Sequence, residues 1–204
     1  MNHIPNKKEA RRLATRWKII EAGTHLFATL GFHKTTIQDI AQHIGMTTGA
    51  VFHHFGSKKD ILDAVVENLD HNFEEYIEFL AQEHADRQSM ITGMADIFVE
   101  RFHTDPDIII SMTSLAAEFS SIRGPVIQKV QAVYDRFVDA FEAALNRFSQ
   151  EKINRAVAIG FIAGLQGVAV QALLREGEMT IEELVQGFLC MNALGQSDVT
   201  VHQE

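Results

Sequence analysis

Apolar residues recur along nearly the whole chain at steps of three and four, and no stretch alternates apolar and polar as a half-buried strand would. The pattern predicts an all-α protein of about nine helices, without an internal repeat of fixed period. A first helix over about Arg12–Leu30 buries Trp17, Ile20, Leu26 and Phe27 and stops at Gly31. A short second helix opens at Thr35 or Thr36, with Gln38 or Asp39 three residues on as the other half of a capping box, and ends at Gly45. Thr47 caps a third helix through about Phe55, and Ser57 with Asp60 opens a long fourth. Five more are expected at about Arg87–His103, Asp107–Ile122, Pro125–Phe148, Gln150–Glu176 and Ile181–Leu194. Pro106 and Pro125 suit first-turn positions, Gly177 ends the penultimate helix, and Thr180 with Glu183 starts the last.

Charge divides the chain where the pattern does. Residues 1–60 carry nine Lys/Arg against four acidic residues, net +5, whereas residues 61–204 carry nine against 23, net −14, within a total of −9. A local basic footprint is what phosphate contact needs, and the acidic remainder repels misplaced nucleic acid. The division predicts a basic tail at 1–11, a three-helix helix-turn-helix domain at 12–60 with its motif at about 36–55, and a larger helical domain at 61–204. The single cysteine, Cys190, cannot close an intrachain disulfide and reads as a small buried hydrophobe of a reducing compartment. The polar N-terminus carries no apolar leader, so a cytoplasmic protein is expected. Ala156–Leu174 is apolar enough to be tested as a membrane span, but three glycines weaken it, and burial between a core and a partner subunit explains the same run.

The segment TTIQDIAQHIGMTTGAVFHHFGSKK, Thr35–Lys59, sets a short amphipathic helix, a tight turn at Gly45 and a second short helix in series. Ile37, Ile40, Ala41 and Ile44 face one way and Val51 and Phe55 answer them, the plan of a helix presented to a major groove. Together with LFATLGF at the end of the first helix and KKDIL after it, the segment resembles the DNA-binding domain of the TetR (tetracycline repressor) family of bacterial regulators. The resemblance spans about Trp17–Leu69; beyond it only the plan of helices matches.

Carried over residue by residue, the resemblance implies DNA contacts from Thr35, Thr36 and Gln38 in the second helix. It implies others from Thr47, Thr48, Gly49, Ala50, Phe52 and His53 in the third, and a phosphate contact from Lys58. The small residues at the third helix's start allow close approach to base edges, and the Gln38 amide could pair with adenine. Two residues depart from the family pattern. Phe52 stands where a tyrosine commonly holds a phosphate, which leaves its ring for a thymine methyl or a sugar, and Thr48 stands in place of a frequent lysine.

Paired half-sites demand a self-complementary surface. Gly160, Gly164 and Gly167 keep one strip of the penultimate helix thin. Phe161, Leu165 and Val168, with Leu184, Phe188 and Met191 of the last helix, complete a candidate dimer interface of four helices. Between the ends lie Met94, Phe98, Phe102, Met112, Leu115, Phe119, Tyr134, Phe137 and Phe141. Their spacing alone says core; the resemblance implies an effector pocket for an apolar or amphipathic small molecule, with Gln166 as its polar candidate.

The expected function is therefore a sequence-specific DNA-binding regulator, a repressor released from a palindromic operator by such an effector and acting as a homodimer. The alternative is a DNA-binding architectural or partner-responsive regulator without an effector. Catalysis is not expected: His53 and His54 diverge on their helix, and neither a metal-ligand spacing, a Gly-rich phosphate loop nor a nucleophile elbow is present. No cofactor, metal or membrane partner is expected either.

Overall fold

The computed structural model describes residues 6–119 and 124–194, with the side chains of 192–194 excepted. Among them are ten helices: α1 (Lys7–Leu30), α2 (Ile37–His43), α3 (Thr48–His54), α4 (Lys58–Asn72), α5 (Glu74–Ala81), α6 (Arg87–Thr104), α7 (Pro106–Phe119), α8 (Pro125–Asn146), α9 (Arg155–Leu174) and α10 (Ile181–Leu194). The described residues form no strand, so the all-α expectation holds. The long fourth helix of the sequence pattern divides at Phe73 into α4 and α5. Residues 120–122, expected to finish the helix begun at Asp107, and residues 1–5 of the expected tail lie outside the described residues.

The chain forms two compact units, one of Met1–Glu74 with Ser111–Tyr134, the other of Glu75–Ile110 with Asp135–Glu204. This division is discontinuous in sequence, unlike the expected boundary at residue 60, and α7 and α8 each begin in one unit and end in the other.

In the first unit α1 starts earlier than expected, because the Asn6 side chain accepts the Lys8 and Glu9 N–H groups and caps it. The described part of the basic tail is therefore helical. Ile19, Phe27, Ile40, Val51, Ile61, Leu62, Val65 and Leu69 are fully buried and tie α1, α2, α3 and α4 into one core. Gly23 sets the crossing of α1 and α4: a Cβ there would stand 2.9 Å from Ile61 Cγ2 and 3.3 Å from Val65 Cγ2. Trp17, expected inside, is 47% exposed, its indole N–H donating to Glu21 along the helix surface at 2.8 Å. The buried face of α1 runs through Ile19, Ile20, Gly23, Leu26 and Phe27 instead.

The second unit is threaded by packed rings, Tyr76 to Phe137 (5.9 Å between centroids), Phe137 to Phe141 (6.0 Å), Phe141 to Phe161 (4.8 Å) and Phe161 to Phe188 (5.6 Å). Burial pushes the Tyr76 phenol far above its ordinary range. Arg155 at the start of α9 pairs with Asp135 and Asp139 of α8, and Arg147 donates to the carbonyls of Leu80, in the last turn of α5, and of Gln82, just past it. The expected Thr180–Glu183 capping box opens α10, with bonds of 2.8 and 3.2 Å.

α9 is long and apolar enough to cross a membrane by length and composition. One face of it is buried through Ala158, Phe161, Ile162, Leu165, Ala169 and Ala172, and it packs on α10. The other face stands open at Ala156, Ile159, Gly160, Ala163, Gly167 and Leu174. Cys190, expected to be buried, is exposed.

A candidate nucleic-acid interface

The helix-turn-helix rests on three local devices. Thr36 Oγ1 accepts the Asp39 N–H at 3.1 Å while the Asp39 carboxylate accepts the Thr36 N–H at 2.8 Å and its hydroxyl at 2.7 Å, a closed capping box at the start of α2. These bonds hold the Asp39 carboxyl below its ordinary range. Gly45, at φ +66°, makes the turn that side chains rarely adopt, and Met46 N–H returns to the Ala41 carbonyl at 2.8 Å. Thr47 Oγ1 accepts the Ala50 N–H at 3.2 Å and caps α3.

With Ile40, Ala41, Val51 and Phe55 buried beneath, the outward surface carries Thr36, Gln38, Thr47, Thr48, Gly49, Phe52 and His53, all exposed, with Ala50 half-buried beside them. Phe52 is 52% exposed, a large ring left in water on an otherwise polar face. The last turn of α3 is tied to α1 by Arg16, whose guanidinium donates to the His54 carbonyl at 3.3 Å and lies 4.0 Å from the Phe55 ring centroid. Burial, then the nearby charges of His53, Arg12 and Arg16, push the His54 imidazole below its ordinary value.

Two expected contacts have other employment. Thr35 is fully buried and its hydroxyl donates to the Leu26 and Gly31 carbonyls at 3.2 and 2.8 Å, so it fastens the end of α1 rather than facing DNA. The Lys58 ammonium donates to the Phe32 and Thr35 carbonyls at 2.7 and 2.8 Å, reaches the His33 carbonyl at 3.4 Å, and sits 4.2 Å from the centre of the Phe32 ring. A lysine in a first helical turn opposes the helix dipole, and here backbone carbonyls offset that cost.

From the opposite side, the Glu118 carboxylate accepts the Phe32 and His33 N–H groups, each at 2.7 Å. Ser111 and Ser114, on the same face of α7, donate to the Thr24 and Phe27 carbonyls of α1 at 3.0 and 3.4 Å. The sequence reading singled out none of these three. The available signal is their spacing of three and four on one side of a helix otherwise rich in Ile, Met, Leu and Ala.

The other predicted sites divide. Of the expected effector residues, Met112, Leu115, Phe119 and Tyr134 belong to the first unit, where Phe119 packs on Phe32 and His33 and Tyr134 faces Phe73. Met94, Phe98, Phe102, Phe137, Phe141 and Gln166 belong to the second, Phe102 and Gln166 half-buried and the other four buried. Of the expected dimer residues, Phe161 and Leu165 are buried within the chain, and Phe188 covers Gly164 so closely that a Cβ would collide with its ring. Val168 and Leu184 are half-buried, whereas Gly160, Gly167 and Met191 face outward. Among the described residues no group of three or more His, Cys, Asp or Glu could hold a metal ion.

Capped short helices on a basic head, with their polar side turned outward, define a helix-turn-helix protein. The sequence model described as "Bacterial regulatory proteins, tetR family" matches residues 19–65, so this module is similar to that family's. Over 82 residues the chain is 36% identical to the HTH-type transcriptional repressor KstR2 of Rhodococcus jostii (strain RHA1), a match covering 40% of each protein. The chain thus matches less than half the length of this curated relative. The fold extends further: a TetR transcriptional regulator from Chloroflexus aurantiacus J-10-FL superposes with a TM-score of 0.75 at 19% identity, over 92% of this chain and 96% of that one. A transcriptional regulator from Saccharomonospora viridis, solved in complex with choline, superposes at 0.66 with 20% identity, over 89% and 96% of the two chains.

Proposed function

We propose that this chain is a cytoplasmic, homodimeric repressor that binds an inverted-repeat DNA site through α2 and α3 and is released by an apolar or amphipathic small molecule. The observation that carries the reading is the outward face of α3. Its Thr47 cap, small first turn and exposed Phe52 project from a buried apolar underside within a segment of net charge +5. Thr36, Gln38, Thr47, Thr48, Gly49, Ala50, Phe52 and His53 are the DNA-facing set, with Phe52 against a thymine methyl. Dimerisation uses the open, small-residue face of α9 at Ala156, Gly160, Ala163 and Gly167, with Met191 of α10 at its edge, where helices can approach closely. The aromatic run of the second unit supplies the chemistry for an apolar effector, and the choline-bound neighbour supports small-molecule control in this fold.

The test is binding of purified protein to DNA flanking its own coding region, and to a random duplex library, across a salt series. The Thr47→Ala/Thr48→Ala variant and operators carrying uracil in place of thymine run alongside. Salt-sensitive binding to one inverted repeat, weakened by the variant, is expected; no preferred site in the library would leave an architectural protein.

A further inference from the structure

The loop between α1 and α2 is held from two sides by opposite charges. Past Gly31, at φ +84°, two successive backbone N–H groups converge and form a concavity suited to an anion. The Glu118 carboxylate fills it with two bonds of 2.7 Å from residues 85 and 86 positions away. The carbonyls of the same loop face the Lys58 ammonium. Glu118 lies in the last turn of α7, where a carboxylate is disfavoured by the helix dipole, so its place there is maintained against an intrinsic cost. Gly31 serves the approach twice, by its positive φ and because a Cβ would stand 3.3 Å from Glu118 Oε2. The His33 ring, 4.0 Å from the same carboxylate, is the other ionisable group beside it.

We infer that Glu118 is a positioning residue for DNA recognition, a latch by which the axial position of α7 sets the orientation of α2 and α3. The latched loop ends at Thr36, the cap of α2, and α3 follows one turn later, so releasing Phe32 and His33 frees the root of the whole reading head. Ser111, Ser114 and Glu118 are three rungs on one face of α7, and all three register α1 and its following loop against the same helix. The first residues of α7, Pro106–Ile110, belong to the other unit. A slide of α7 past α1 that breaks the rungs would release the head. The inference rests on the proposed DNA-binding function.

The test uses the full chain with Glu118→Gln, which keeps the side chain's shape, and Glu118→Ala. Amide hydrogen exchange is followed over residues 31–36, and affinity is measured for the duplex that the wild-type protein selects from a random library. Both variants are expected to exchange faster at Phe32 and His33 and to bind that duplex on the order of tenfold more weakly. The slope of log K against log salt stays at the wild-type value, since no phosphate contact is lost. A merely structural role would lower the melting temperature and leave the affinity of the folded protein within twofold of wild type, which overturns the inference. Unchanged exchange overturns the latch itself. If the wild-type protein selects no site, the proposed function fails and Glu118's part in recognition fails with it, while the exchange experiment still shows separately whether the clamp exists.

Discussion

Replacing Lys58 by methionine keeps most of the apolar stem against Phe32 while removing the ammonium that the α1–α2 loop is built around. Two of its bonds, at 2.7 and 2.8 Å, are short and the third, at 3.4 Å, is weak. A hydrogen bond to a charged group is worth about 1.5–3 kcal/mol net, and contact with the ring adds about 0.5–1 kcal/mol at a partly exposed site. The freed carbonyls lie near the surface and recover water, which brings the expected loss to about 2–4 kcal/mol. In a chain of 204 residues each kcal/mol moves the melting temperature by about 2–4 °C, so a fall of roughly 5–15 °C is expected by calorimetry. Anisotropy titrations of a labelled operator over a salt series supply the second reading. A clamp leaves the salt slope unaltered, whereas a lost phosphate contact lowers it by about 0.9. An unchanged melting temperature with a slope smaller by that amount would refute this account and restore Lys58 to the DNA backbone.

Three further outcomes are expected. Gly23→Ala forces a methyl against the stiff, branched Ile61 and Val65 at the α1–α4 crossing, and should cost about 1–3 kcal/mol in denaturant unfolding; a wild-type midpoint would show that the crossing relaxes freely. Gly160→Leu fills the open strip of α9 without touching the buried face and should raise the dissociation constant for self-association at least about tenfold in sedimentation, roughly 1.4 kcal/mol. Equal association of variant and wild type would place the dimer contact elsewhere. Asp39 and Asp86 are both held below the ordinary carboxyl range by hydrogen bonds at their helix starts, from Thr36 and Ser89. Folding therefore favours their charged forms, and the stability they lend is whole above the ordinary carboxyl value and lost as pH falls through the lowered one. The Asp39→Asn/Asp86→Asn protein should lose stability less steeply than wild type between about pH 5 and pH 2; parallel curves would deny these caps their pH dependence.

What the sequence could show was local. The capping partners of α2, α4 and α10 sit three residues apart, and Gly31, Gly45 and Gly177 adopt the positive φ that their helix ends demand. The adjacent threonines show where such legibility stops. Both 35 and 36 have a partner three residues on, but only Asp39 offers a carboxylate that can accept both the N–H and the hydroxyl of its cap. Thr35 is thereby left to turn inward on carbonyls of α1. The intrachain bonds of Lys58 were illegible for a different reason: its partners are backbone carbonyls more than twenty residues away, which no side-chain pattern announces. Glu118 is further removed still, and its role follows from α7 lying along α1 rather than from any motif. Trp17 follows helical spacing from Ile20, yet the crossing with α4 selects the neighbouring stripe through Ile19, Gly23 and Phe27.

The discontinuity of the first unit bears on how such a head could be transplanted. A chimera that takes residues 1–74 and joins them to another helical domain would carry every side chain proposed to face DNA and both capped short helices, but not Ser111, Ser114 or Glu118. Its Phe32 and His33 N–H groups would then depend on whatever the recipient happens to offer. Exchange of specificity between regulators built this way is an exchange of two segments, and a graft that also carries Ser111–Phe119 brings its own anchor.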